Sequence, residues 1–103
     1  MALTREFKET VKARAQRDPE FRKALLVEAV DLLLEGDVET GKALLRNYVN
    51  ATIGFEELAK QVNFSPKSLM RMLSAKGNPR ADNLFSVISH LQKASGVHLA
   101  VRA

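Results

Sequence analysis

The 103-residue sequence contains no cysteine and no tryptophan, and aromatic residues make up only 6% of it. Without cysteine there can be neither a disulfide framework nor thiolate chemistry, and a reducing compartment fits better than a secreted one. The N-terminal stretch MALTREFKETVKARAQRD carries a charge every few residues, so it has neither the apolar run of a signal peptide nor that of a membrane span. We therefore expect a cytoplasmic protein of one globular domain that does not interact with membranes.

Residue patterns typical of catalysis are also missing. There are only two histidines, His90 and His98, and no metal-ligand spacing, glycine-rich phosphate loop or nucleophile elbow occurs. Glu56 and Glu57 are neighbouring carboxylates, but the dipole of a helix that starts beside them explains them better than acid–base catalysis does. The sequence therefore predicts a protein that is not an enzyme and that needs no cofactor or metal.

Negative charge is missing from one stretch of the chain. Residues 63–80, NFSPKSLMRMLSAKGNPR, include four basic residues and none of the twelve acidic ones. Residues 1–53 are balanced at nine basic and nine acidic residues, so the net charge of +4 belongs to residues 54–103. A one-sided basic balance is typical of nucleic-acid binding, because cations that neutralise phosphates release condensed counterions. The alternative is a solvated basic face that binds nothing.

Apolar residues recur at the helical period along most of the chain, which predicts an all-α fold. Asp18, Asp37 and Ser65 are suited to cap the starts of helices, and Gly36 is suited to end one. The helix behind Asp18 is apolar over a wide arc, which is typical of a core element or of a helix with contacts on two sides. The predicted helices comprise residues 3–16, 19–35, 38–51, 55–62, 66–75 and 79–95.

The C-terminal tail VHLAVR has a different pattern. Val97, Leu99 and Val101 alternate with other residues, which is the two-residue period of a β-strand. A single strand leaves its backbone groups unpaired, so a strand at residues 97–101 would pair with a second molecule and form a dimer. A plain coil is equally compatible with so short a segment.

Residues 55–74 have the spacing of two short helices joined by a tight turn. Leu58 and Val62 lie one helical turn apart, and Ala59 between them is small enough for a second helix to cross closely. Asn63 is suited to the positive φ that such a turn requires. Phe64 fills the turn, and the second helix packs back through its apolar residues. The sequence therefore predicts a helix-turn-helix unit.

The second helix of this unit directs its cations away from the core. At 100° per residue, Lys67 and Arg71 both lie about 160° from the inward-facing Leu69, and Ser74 lies about 140° from it. A helix with this face fits the major groove of duplex DNA, where Arg71 is suited to contact a guanine. The predicted DNA-binding residues are Ser65, Lys67, Ser68, Met70, Arg71, Ser74, Lys76, Asn78 and Arg80, of which the last three are expected to hold phosphates.

Three stretches also carry a family resemblance: RDPEF, LLLEGDVETGKALLRNYVNA and FEELAKQVNFSPKSLMRMLSAKGNPRADNLFSVISHL. From about Asp18 to the end, the chain resembles the addiction-module antidote proteins, a HigA-like branch of the lambda-repressor-like helix-turn-helix proteins. Asn63-Phe64 stands where that family has Gly-Leu, Pro66-Lys67 replaces an Arg-Glu-like pair and Met70 replaces a tyrosine. The operator preference of the family therefore does not carry over.

The resemblance implies a lambda-repressor-like helix-turn-helix bundle, with residues 1–17 as an N-terminal helical extension and residues 18–103 as the DNA-binding domain. It implies a homodimeric antitoxin of a type II toxin–antitoxin module, which neutralises a cognate toxin protein and represses its own operon at a double-stranded DNA operator. The helix at residues 19–35, with its N-terminal extension, is the candidate toxin-binding surface, although this helix would equally serve to complete the core. The alternatives are a stand-alone transcriptional repressor without a toxin and a protein-interaction module on the same scaffold.

Overall fold

The computed structural model describes residues 4–102, apart from the side chain of Lys8. These residues form six α-helices and no strand, which confirms the predicted all-α class. The predicted helix start at Leu3 lies outside the described residues. The helices are α1 (Arg5–Arg17), α2 (Pro19–Leu34), α3 (Val38–Ala51), α4 (Phe55–Val62), α5 (Pro66–Met72) and α6 (Ala81–Ser95).

Side-chain caps fix the starts of three helices where the sequence predicted them. Asp18, Asp37 and Ser65 accept hydrogen bonds from backbone amides in the first turns of α2, α3 and α5, at distances of 3.0 to 3.3 Å. Each cap pairs amides that have no partner within the helix, so the helix begins directly after the capping residue.

Two predicted boundaries that flank the same loop are wrong, whereas the predicted ends of the first two helices, at residues 16 and 35, differ by one residue from those observed. Helix α5 ends at Met72 rather than Ala75, because the chain turns at Leu73 and the carbonyls of Leu73 and Ser74 bind side chains of α3 instead of continuing the helix. Helix α6 begins at Ala81 rather than Pro79, because Arg80 has an extended backbone (φ −66°, ψ 150°) and is the N-cap. Residues 73–80 are therefore a loop, not helix ends.

The five helices from α2 through α6 share one apolar core. Helix α3 packs closely on α2 at Gly41, where a Cβ would lie 2.7 Å from Cδ2 of Leu33 and 3.1 Å from the Ala29 carbonyl oxygen. Helix α1 lies against α2 and α3 and buries Ala15. The core consists of Leu26, Ala29, Leu45, Tyr48, Val49, Phe55, Leu58, Ala59, Val62, Leu69, Leu73, Val87, Ile88 and Leu91.

The tail after α6 is coil and forms no strand within the described residues. Val97 and Leu99 pack against the core, whereas His98 and Ala100 are exposed. The backbone amide of Leu99 donates to Oε1 of Gln92 at 2.7 Å, so the side chain of α6 takes the place of a strand partner. Within the described residues this segment is therefore coil, in which Val97 and Leu99 pack on their own molecule while Val101 is 81% exposed. A strand that pairs with a second molecule stays a prediction.

Among the helices that the structure describes, none is long and apolar enough to cross a membrane.

Candidate nucleic-acid interface

A sharp turn connects α4 to α5. Asn63 ends α4 in the left-handed conformation (φ 60°, ψ 34°) and is the one non-glycine residue of 4–102 with a positive φ. Asparagine is among the few residues that adopt this conformation readily. Leu58 and Ala59 of α4 and Leu69 of α5 all belong to the core. Packing of these residues leaves the opposite face of α5 in solvent.

The solvent-facing side of α5 carries the residues that the sequence placed there. Lys67, Ser68, Met70 and Arg71 are exposed, whereas Leu69 is fully buried. Met70 is 47% exposed, so one apolar side chain lies among the polar side chains of this face. The helical projection of these residues is confirmed.

The loop after α5 folds back beneath the end of that helix. Gly77 is essential to this path, because a Cβ there would lie 2.0 Å from the carbonyl oxygen of Arg71 and 2.8 Å from that of Met72. Ser74 is half-buried, and its hydroxyl donates to the Arg71 carbonyl at 2.7 Å. Ser74 lies beyond the last turn of α5, so the helical projection predicted for it does not apply. Lys76, Asn78 and Arg80 are exposed in the same loop.

Five of the nine predicted residues line one shallow concavity of about 410 Å³. They are Ser68, Arg71, Lys76, Asn78 and Arg80, and Asn83 of α6 joins them. The sequence reasoning missed Asn83 because it assigned no role to the first turn of the last helix, although Arg80 lies directly before that turn. The other predicted residues, Ser65, Lys67, Met70 and Ser74, lie outside this lining.

The cations of this surface are largely free of acidic partners. Among the described side chains, no salt bridge involves Lys67, Arg71 or Lys76. Nη2 of Arg80 lies 3.3 Å from Oδ2 of Asp82, but both side chains are exposed, and such pairs contribute little because water screens them. The surface therefore offers positive charge and hydrogen-bond donors to a ligand with many negative charges.

Two further cations were missed by the sequence reasoning. Lys42 is 4% exposed, and Arg46 is half-buried. Both donate to backbone carbonyls of the loop after α5. The signal for Lys42 was its spacing, because it shares the buried face of α3 with Leu45 and Val49 at the helical period.

A second concavity, of about 560 Å³, lies between α1, α2 and α3. Phe7 of α1 is 51% exposed in it, and Phe21 and Leu25 of α2 line it as well. The buried Tyr48 contributes to the same lining. Burial raises the pKa of Tyr48, whereas its hydrogen bond to Ser95 and the charge of Arg22 act in the opposite direction. We call this concavity the α1–α3 groove.

Helix α2 thus has two kinds of contact, as its wide apolar arc indicated. Leu26 and Ala29 are fully buried in the core, whereas Phe21 and Leu25 remain half-buried at the groove. Within the described residues, no group of three or more side chains could hold a metal ion.

No protein-family model, curated protein or solved structure matches this chain. The resemblance to antidote proteins therefore stays a prediction from the sequence, and a function is assigned from the geometry of the two surfaces.

We predict that Gly77→Ala displaces the loop after α5. The added Cβ collides with a backbone carbonyl, which cannot move as a flexible side chain would, so we expect a loss of about 1 to 3 kcal/mol in the free energy of unfolding. Urea denaturation measures that loss, and backbone NMR chemical shifts locate the change at residues 73–80. Gly36→Ala is the control, because a Cβ at Gly36 meets nothing within 4 Å and its strain (φ +92°) is local. Unchanged shifts at residues 73–80 would contradict the prediction.

Proposed function

We propose that this protein binds duplex DNA in a sequence-specific manner, with α5 in the major groove. The observation that carries the proposal is the exposed, acid-free face of residues 63–80, whose cations Lys67, Arg71 and Lys76 have no carboxylate partner among the described side chains. Like charges on one face repel each other, and a polyanion is the ligand that relieves this repulsion while releasing its own counterions.

The arrangement of α4 and α5 supports the proposal. The two helices have eight and seven residues, and the left-handed Asn63 joins them, as a helix-turn-helix unit requires. The second helix of such a unit lies in the major groove with its N-terminal residues against base edges. An α-helix with its side chains is about 10 to 12 Å in diameter, which fits the width of about 12 Å of that groove.

The residues of the surface then take different roles. Arg71, at the centre of the exposed face, is suited to a bidentate contact with guanine, and Met70 beside it is suited to a thymine methyl group. Lys67 lies nearer the start of α5, where it reaches either a base or a phosphate. Ser65 and Ser68 at the start of α5 are suited to a base or a phosphate, and Lys76, Asn78 and Arg80 in the loop are assigned to phosphates. Ser74 is given no contact, because its hydroxyl donates to the Arg71 carbonyl.

The resemblance to antidote proteins extends this proposal to an antitoxin. In this proposal the protein acts in the cytoplasm as a homodimer, represses its own operon and neutralises a toxin protein. The α1–α3 groove supports a second, protein-binding surface, because most of its exposed lining is apolar and includes Phe7, and because it shares no lining residue with the concavity beside α5. Charged residues, among them Arg5 and Glu28, also line it. A repressor without a toxin and a protein-interaction module that does not bind DNA are the alternatives that the following experiments separate.

We expect the protein to bind the DNA upstream of its own gene more tightly than a scrambled duplex. Fluorescence anisotropy at several salt concentrations measures both affinities, and the logarithm of the specific affinity should fall linearly with the logarithm of salt concentration as counterions are released. If circular dichroism shows that the protein is folded and it binds neither duplex, that result would contradict DNA binding and favour the protein-interaction module.

Single substitutions should separate base contacts from phosphate contacts. We expect Arg71→Ala to weaken binding to the specific site by about 1 to 3 kcal/mol and to relax the preference at one base position. Arg80→Ala should instead weaken binding to all sequences and lower the salt slope by about 1. Lys93→Ala, which removes an exposed cation at the far end of α6, is the control and should change neither quantity. Equal weakening on all sequences would make Arg71 a phosphate contact, and an unchanged slope would remove Arg80 from the interface.

The antitoxin part predicts that Phe7→Glu weakens binding to the product of the adjacent gene. The substitution replaces an exposed aromatic ring with a charge, and we expect the affinity, measured by isothermal titration calorimetry, to fall at least about tenfold. Phe85→Glu is the matched control, because Phe85 is 60% exposed and lies outside the groove. Equal effects of both substitutions would exclude the groove, and a gene with no toxin-sized neighbour would favour the stand-alone repressor.

A further inference from the structure

Lys42 is a charged residue in an almost fully buried position. Its side chain is 4% exposed, and among the described side chains no salt bridge pairs it with a carboxylate. Its Nζ donates instead to the backbone carbonyl of Ser74 at 2.9 Å and to that of Gly77. A buried ammonium is tolerated only where such acceptors replace water. Both acceptors belong to the loop between α5 and α6.

Arg46, one turn further along α3, binds the same loop. Its Nη1 donates to the carbonyl oxygen of Leu73 at 3.1 Å, and Leu73 is the C-cap of α5. The last carbonyls of a helix lack partners within the helix and form the negative end of its dipole, which cations stabilise. Two cations of α3 therefore hold the end of α5 and the turn that follows it.

The loop also packs closely against the end of α5, where the backbone of Gly77 lies beside the Arg71 carbonyl. Lys76, Asn78 and Arg80 flank this fixed point, and all three line the concavity beside α5. Lys42 cannot touch a ligand there, because it is buried and does not contribute to the lining. Its effect on that surface must act through the backbone of the loop.

We propose that Lys42 and Arg46 are positioning residues for DNA binding. By holding the carbonyls of residues 73–77, they fix Lys76 and Arg80 relative to α5, so that a phosphate contact and a base contact are made together. A loop that is already ordered loses less conformational freedom on binding, and this increases affinity without a further contact. The inference rests on the proposed function, since it assigns two further residues to the same interface.

Lys42→Met tests the inference, because methionine has a similar length but neither charge nor donor. In the DNA-free protein, the amide hydrogens of Ser74 and Gly77 donate to carbonyls within residues 71–74. We expect both amides to exchange about tenfold faster or more in the variant, while amides of α2 and α6 keep their rates. Affinity for the upstream DNA should fall by about tenfold as well.

Lys93→Met is the matched control for the loss of one positive charge. Lys93 lies in the last turn of α6, about 20 Å from Arg80 along the helix axis, and is exposed. We expect this variant to change neither the exchange rates of the loop nor the specific affinity beyond twofold. A loss equal to that of Lys42→Met would show that net charge, and not the loop, determines binding, and would overturn the inference.

A double-mutant cycle separates positioning from a general loss of stability. If Lys42 acts through Lys76 and Arg80, Lys42→Met should weaken binding by less than about twofold when both of these are already alanine. A full tenfold loss in that background would overturn the inference, because the effect would not pass through those two side chains. Arg46→Met replaces Lys42→Met in the cycle if the buried substitution prevents folding.

The outcomes also distinguish this inference from the proposed function. If wild-type protein binds its upstream DNA and Lys42→Met binds equally well, the positioning role is overturned and the DNA-binding function stands. Faster exchange in the loop without weaker DNA binding has the same meaning, because Lys42 would then serve stability alone. If wild-type protein binds neither duplex, the proposed function is overturned and the positioning role falls with it.

Discussion

The buried face of α3 is the surface on which the rest of the fold is arranged. Leu45, Tyr48 and Val49 bury their side chains along it, while α1 and α2 pack beside them. Lys42 continues the same face but ends in a charge, and this charge needs acceptors that apolar neighbours cannot supply. The carbonyls of Ser74 and Gly77, in the loop after α5, meet that need. One helix therefore packs the core and also fixes the loop of the exposed basic surface.

The two surfaces proposed for function lie on either side of this helix. Leu44 and Asn47 of α3 line the α1–α3 groove, whereas Lys42 and Arg46 reach the loop beside α5. The same geometry separates two groups of cations. Lys42 and Arg46, which have backbone acceptors, are buried or half-buried, whereas the cations on the face of α5 have no such acceptors and are exposed. Repulsion among the exposed cations is tolerated because the core, and not surface ion pairing, holds α4 and α5 together.

The loop of residues 73–80 owes its shape to two features of opposite kind. Gly77 lets the backbone approach the end of α5 because it has no side chain, and Lys42 supplies a long one that reaches the carbonyls from α3. Either feature alone would leave backbone groups of the loop without a fixed partner. Together they give this irregular segment fixed contacts, which the proposed DNA-binding surface would need for precise placement of its side chains.

Local chemistry in the sequence determined the helical class, the capped starts of α2, α3 and α5, the left-handed turn at Asn63 and the outward face of α5. These features depend on residues within a few positions of one another, so period and capping signals are enough to predict them. The tertiary structure alone decided the early end of α5 and the coil conformation of the tail. It also decided that Asn83 lines the concavity beside α5 and that Lys42 binds the loop after that helix. Each of these depends on partners distant in sequence or on the path of a loop: the Lys42 acceptors lie 32 and 35 residues away. Packing of α3 brings such groups together, and no local pattern in the sequence records which carbonyl a buried cation will meet.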